Sequence, residues 1–295
     1  MVDRYLDLLT PDELHLLGTA SGLPHEQNPL ELFRSHPVLI AEALGKQVTL
    51  DRLATMDGAV TAESSTRLRL AIMTTRLAAQ ITAAGFGVSR LGDRVLVEAG
   101  ANDDMAQVVA TNRFRLDVIE LIFSYLRPGR DDDEVAVVAD PDRLRRALAS
   151  HHIGPLIQLL DWLPTSQHAG VLRRLGDLAA LTVGLFPDHG DALTVDQDLM
   201  VVIARTVPSR LRDHLTGVAP IDAFGADTMT AMLERLGPIW YRRAAQLISW
   251  PAIAEPIESL ADNFDVMTSF LGELNRYHLL DQRDDLFDFG LIHGH

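Results

Sequence analysis

Residues 102–126 read NDDMAQVVATNRFRLDVIELIFSYL, and within them Met105, Val109, Asn112, Leu116, Ile119, Phe123 and Leu126 recur at alternating spacings of four and three. That period places all seven on one side of a helix. The most regular segment of the chain is therefore built to pack against another helix, and no catalytic constellation stands near it. A second seam lies at 256–280, where Ile257, Leu260, Phe264, Met267, Leu271, Leu274 and His278 repeat the pattern. Each seam covers about three heptads, a length that suits packing into the protein's own core or a self-association seam made of Val109, Asn112, Leu116, Ile119 and Phe123. Asn112 is the discriminating position. A polar side chain on an apolar stripe has to be bonded, either to a neighbouring backbone group or to its symmetry mate across a dimer axis.

Working outward, Thr10-Pro11-Asp12-Glu13 is a capping box with proline in the first helical position, so a helix starts there and carries Leu14, Leu16 and Leu17 inward. The stretch from Gly22 to Pro29 interrupts it. Pro37 opens a short helix through Leu44, Thr49 caps another over LDRLATM, and Thr61 caps a long one ending near Ala84 before Gly85. The period then changes. In GVSRLGDRVLVEAG, residues 87–100, Val88, Val95 and Val97 flank a Gly92-Asp93 turn, the pattern of a small β-hairpin. Asn102 caps the seamed helix that follows.

Residues 127–142, RPGRDDDEVAVVADPD, combine a Pro-Gly stop, an acidic run and one short strand candidate, EVAVVA. Beyond them the pattern is helical: 142–163 with a break at Gly154-Pro155, 166–186 stopping at Pro187, 196–216, a pair over 227–250 split at Gly237-Pro238, and 256–280. The expected fold is mainly α, a helical bundle with one small β-hairpin in the N-terminal half. Its parts are a helical lobe at 1–127, an acidic connection at 128–142 and a C-terminal helical bundle at 143–295.

The chain has 295 residues with 47% hydrophobic content, ample for a core and for two lobes. No run of about eighteen uncharged apolar residues is present to span a bilayer, and MVDRYLDLL carries acids where a signal peptide needs a basic start. The expectation is a cytoplasmic protein with no membrane partner. Cysteine is absent, which removes disulfides, thiol nucleophiles and zinc-thiolate sites together. Lys46 is the sole lysine among 26 basic residues, a bias that reflects a high-GC genome and nearly excludes a catalytic lysine. The net charge of −15 opposes, taken globally, nonspecific attachment to phosphate backbones or anionic lipids.

Locally the balance reverses. Between Thr61 and Val97, five arginines stand against Glu63 and Asp93, a local charge of +3. The order from Pro37 to Glu98 of helix, helix, long helix and hairpin resembles a winged helix-turn-helix module. TLDRLATM takes the place of the second helix, STRLRLAIMTTRLAAQITAAGF that of the recognition helix, and VSRLGDRVLVE that of the wing. The resemblance implies DNA contact through Arg67, Arg69, Arg76, Arg90 and Arg94. Farther on, RLGDLAALTVGLFPD at 174–188 and LGPIWYRRAA at 236–245 resemble uncharacterised conserved bacterial proteins of actinobacterial type, which brings no function with it. Gly176 and Gly184 lie close to one side of their helix and suit close packing. Trp240 and Tyr241 beside Arg242 and Arg243 form either a partner anchor or an aromatic core edge.

The eleven histidines and their acidic neighbours show no HExxH or equivalent spacing. His151 and His152 are adjacent and diverge on a helix. Asp188-His189-Gly190-Asp191 has the composition of an ordinary loop, and Glu273 and His278 are off the spacing that two ligands on one face prefer. Gly85-Phe86-Gly87 lacks the third glycine and the strand of a dinucleotide fold, and neither a Walker loop nor a Gly-x-Ser-x-Gly elbow occurs. No catalytic residue, metal site or cofactor is therefore expected. The residues point first to a non-enzymatic regulatory or adaptor protein that acts through protein contacts, a homodimer being one form. The alternative is a DNA-binding transcriptional regulator using the winged-helix-like segment; the third reading is an enzyme of unknown reaction.

Overall fold

The structure is a computed structural model that describes residues 4–23, 28–46, 48–49, 52–53, 62–84, 86–91, 94–99, 103–126, 153–188, 203, 206 and 228–276. These residues are predominantly helical. In chain order the elements are α1 (Arg4–Leu8), α2 (Pro11–Ala20), α3 (Pro29–Ser35), α4 (Val38–Gly45), α5 (Ala62–Ala84), β1 (Phe86–Leu91), β2 (Arg94–Ala99), α6 (Asp103–Ala110) and α7 (Asn112–Leu126). They continue with α8 (Ile153–Trp162), a 3-10 turn (Thr165–Gln167), α9 (His168–Leu185), α10 (Met229–Leu247), α11 (Pro251–Asp262) and α12 (Phe264–Leu274). The acidic connection at 128–142 with its EVAVVA segment, the Gly92-Asp93 turn and His151-His152 lie outside the described residues. So do His189 to Asp191, His278, and the 196–216 helix except Ile203 and Thr206. By its contacts the chain divides into two compact units, Met1–Phe123 with Arg276–His295, and Ser124–Asn275; the division falls inside α7.

In the first unit α2 begins where the capping box puts it. Thr10 Oγ1 accepts from the Glu13 amide at 3.3 Å, Glu13 Oε2 accepts from the Thr10 amide at 2.8 Å, and Pro11 occupies the first helical position. Leu14 and Leu17 are buried and Leu16 is half-buried. Within the stretch read as an interruption, Asn28 caps a further helix, α3: its Oδ1 accepts from the Leu30 amide at 3.1 Å and Pro29 opens the first turn. The long α5 buries Leu68, Leu70, Ala71, Leu77, Ala78 and Ile81. Two threonines share that buried side and donate back to the preceding turn, Thr74 Oγ1 to Leu70 O at 2.8 Å and Thr75 Oγ1 to Ala71 O at 2.7 Å. The strands β1 and β2 pair antiparallel, with Phe86 opposite Ala99 and Leu91 opposite Arg94.

The seam at 102–126 is two helices and not one. Thr111 ends α6 by donating from Oγ1 to Val108 O at 2.7 Å, and caps α7 by accepting from the Phe114 amide at 3.2 Å. The last seam breaks in the same way at Asn263, whose Nδ2 donates to Ser259 O at 2.8 Å between α11 and α12. In both cases a short polar side chain offers the backbone a local alternative to the next helical bond. The apolar faces continue across the breaks, so periodicity alone did not reveal them.

The second unit is organised by α9, which is buried at every position from Val171 to Leu185 except Arg173 and Thr182. A helix apolar on almost all sides has to be covered on all sides. It is packed by α8, α10 and α12. Gly184 lets α12 approach, since a Cβ there would lie 2.5 Å from the Leu271 Cβ and 2.9 Å from the Thr268 carbonyl oxygen. The split expected at Gly237-Pro238 is absent, because α10 runs unbroken through Pro238. Gly237 supplies the reason twice over. Without a Cβ it removes the Cβ part of the clash that drives a residue before proline out of the helical region, and it leaves room for the Phe264 ring, whose Cζ would be 2.2 Å from any added Cβ.

Two outcomes follow. Gly184→Ala must displace α12 and should lower the unfolding free energy of the protein by about 1–3 kcal/mol in denaturant titration; an unchanged midpoint would contradict the close approach. Burial holds the Glu13 carboxyl above the usual glutamate range, against the Thr10 hydrogen bonds and the Arg67 charge. With its folded pKa raised, the stability it contributes is complete below the unfolded pKa and lost as pH rises through the folded pKa. Glu13→Gln keeps a side chain suited to the capping box and should flatten that loss, read as hydrogen exchange of the α2 amides against pH.

Candidate functional site

The five arginines of the DNA reading do not form one group. Arg67 lies on the opposite side of α5 from Arg69 and Arg76, which are two turns apart, about 10 Å along one face. Arg67 is turned into its own unit: Nη1 donates to Leu8 O at 3.1 Å and the guanidinium carbon sits 3.9 Å from the Phe123 ring centroid. Its charge also reaches the buried Glu13 carboxylate. A phosphate would have to displace all three interactions, so Arg67 is a structural cation here. Arg69 and Arg76 are half-buried. Arg90 and Arg94 occupy the strand pair, opposite Val95 and Leu91 respectively.

The seam residues are placed by the same unit. Val109, Leu116 and Ile119 are completely buried within the chain, while Asn112 and Phe123 are half-buried. The Asn112 carbonyl oxygen accepts from the Arg115 guanidinium one turn along, which satisfies the polar position locally. Phe123 carries Arg67 on its face.

A cluster that the sequence reading passed over stands at the centre of the second unit. Arg174 and Asp177, one turn apart on the enclosed α9, are both buried. Asp177 Oδ1 accepts from the Tyr241 hydroxyl of α10 at 2.7 Å, and Gly176 beside it makes room for that ring, because a Cβ would lie 2.8 Å from two of its carbons. Arg174 Nη1 donates to Ser124 Oγ at 3.0 Å. Its Nε and Nη2 are buried without an acceptor. Next to Ser124, the Tyr125 hydroxyl is pushed above the usual tyrosine range by burial, against the charge of Arg174, and its ring packs 5.7 Å from that of Phe186. Trp240 and Tyr241 are fully buried and belong to the core: Trp240 Nε1 donates to Thr206 Oγ1 at 2.7 Å. The signal missed at 174 was phase, since Arg174 shares the face of Val171, Leu175 and Leu178 whereas Arg173 does not.

The other overlooked feature is at the surface. Between α10 and α11, Trp250 is 72% exposed, with Ile253 at 49% and Leu247 at 37%. The corner that presents them is ordered by its backbone: the Ile253 and Ala254 amides both donate to Trp250 O at 3.0 Å, and the Ile248 amide donates to Ala245 O at 3.1 Å. Its sequence mark is a tryptophan directly before a proline that starts a helix, Trp250-Pro251. Among the described residues, no group of three His, Asp or Glu side chains is placed to hold a metal ion.

Removing the hydroxyl in Tyr241→Phe leaves the buried Asp177 carboxylate without that donor, and should destabilise the protein by about 1–3 kcal/mol in chemical denaturation. A loss below about 0.3 kcal/mol would mean that water or another donor replaces the bond at once. No family model, curated protein or solved structure matches the chain.

Proposed function

We propose that this is a non-enzymatic regulatory or adaptor protein that acts by binding another protein, and that Leu247, Trp250 and Ile253 form its contact. The observation that carries the reading is the exposed tryptophan on an ordered corner. A large aromatic side chain left in water loses the burial free energy that its neighbours Trp240 and Tyr241 gain. Interface anchors are enriched in tryptophan, and apolar neighbours around one exclude water when a partner covers it. Here Leu247 and Ile253 flank it three positions away on either side.

A second reading has its own support. The long α5 followed by the paired β1 and β2 follows the order of a winged helix-turn-helix module, in a stretch that carries +3 within a −15 chain. In a DNA-binding regulator of this kind the contacts would come from Arg69, Arg76, Arg90 and Arg94, with Arg67 retained for the unit's interior.

The two readings separate experimentally. A photo-crosslinking residue at position 250 should capture a discrete protein partner in cells, or a second copy of this chain, whereas the same residue at the exposed Gln158 of α8 should not. Absence of any adduct at 250 would remove the adaptor reading in this form. Duplex DNA of random sequence, titrated at low and raised salt, tests the other: binding should weaken as log K falls by about 0.9 per phosphate contact against log salt, and should vanish when Arg69, Arg76, Arg90 and Arg94 become Ala.

A further inference from the structure

We infer that Arg174 is a binding position for a single small oxyanion group, a phosphate or a carboxylate, enclosed in the second unit. The residue is only 8% exposed, on a helix face otherwise made of Val171, Leu175 and Leu178. A leucine or methionine would fill that place without the penalty of burying a charge. The guanidinium is tethered at one corner only, by the bond from Nη1 to Ser124 Oγ at 3.0 Å. The two nitrogens left without an acceptor are Nε and Nη2. Their N–H bonds lie along one edge of the planar guanidinium and point the same way, which is the edge that takes a carboxylate or phosphate through two parallel hydrogen bonds.

Among the described residues nothing nearby neutralises this edge. Asp177 is the carboxylate one turn along α9, and it is bonded to the Tyr241 hydroxyl at 2.7 Å. Among the described residues no carboxylate forms an ion pair with Arg174. Burial pushes the Tyr125 hydroxyl above the usual tyrosine range, against the charge of Arg174, so that tyrosine supplies no negative charge to the guanidinium. Because the open nitrogens are shielded from bulk water, an extended polyanion such as duplex DNA cannot lie across them. One small group, free or at the end of a small ligand, is the class of anion that two enclosed parallel donors suit. This site is separate from the exposed corner at Trp250.

The test uses the full chain and two probes, inorganic phosphate and acetate, each against chloride at equal ionic strength. Phosphate, acetate or both should raise Tm by roughly 3 °C at ten times Kd. Arg174→Lys keeps the charge but not the two-pronged edge and should show less than half of that rise, and Arg174→Met should show none. A response to phosphate alone assigns a phosphate-bearing ligand; a matching response to acetate assigns a carboxylate. In case the variants fold poorly, the wild type carries its own readout. The Arg174 Nε–H signal in proton-nitrogen spectra, assigned by its absence from Arg174→Lys, should move on addition of the anion that stabilises. No movement with either anion, or an equal Tm response in Arg174→Met, overturns the assignment.

Discussion

Helix α9 has almost no side that faces water, and that one circumstance governs the second unit. A helix so enclosed needs a neighbour against each face, and close neighbours need small residues at the points of contact. Gly184 admits α12 and Gly176 admits the Tyr241 ring, while Gly237 on α10 admits Phe264. The aromatic side chains that arrive at these points then stack on one another: the Tyr241 and Phe264 rings lie 6.2 Å apart. Each glycine exchanges some helix propensity for packing, about 1 kcal/mol relative to alanine, which the burial of a whole aromatic ring offsets.

Enclosure also sets terms for every polar group it takes in. Asp177 finds Tyr241, Trp240 finds Thr206, and Thr268 bonds back to Phe264 O at 3.1 Å. In the first unit the same requirement joins Glu13 to Thr10, and turns the hydroxyls of Thr74 and Thr75 onto their own helix. These are ordinary solutions to burying a donor or acceptor. Arg174 differs in degree, because two of its donors are covered and unmet where Tyr5, Glu13, Arg67, Arg113 and Arg115 each leave one such atom, and that is what makes it informative. The surface has a matching exception in Trp250, an aromatic side chain that the core did not take in.

Much of the architecture was legible in the residues. The capping box at Thr10, the long helix ending near Ala84 and the helix around 168–185 each carry a signal that acts within a few residues: a cap, a stop or a period. Where reading failed, two local signals competed. Thr111 and Asn263 lie within good apolar periods, and their side chains still divert the backbone. At Gly237-Pro238 a strong breaker was overruled, because the glycine before the proline lessens the clash and the helix has a ring to receive. Helical phase also separates the arginines of α5. Composition counts Arg67 with Arg69 and Arg76, but helical phase sends it the other way, onto Phe123 and Leu8 O.

The sequence by itself determined the helical class, most helix starts and which faces are apolar, since these depend on side-chain period and on hydrogen bonds between residues three or four apart. It also determined that cysteine and lysine chemistry are absent or nearly so. Only the tertiary structure decided which polar residues are enclosed and with whom. Asp177 and Tyr241 are 64 positions apart, and Arg174 and Ser124 are 50 apart. The same holds for which apolar residue stays in water. Burial is a property of what other segments cover: helical phase puts Arg174 on an apolar face and Pro251 sets Trp250 at a helix start, but which of the two is enclosed depends on segments far along the chain.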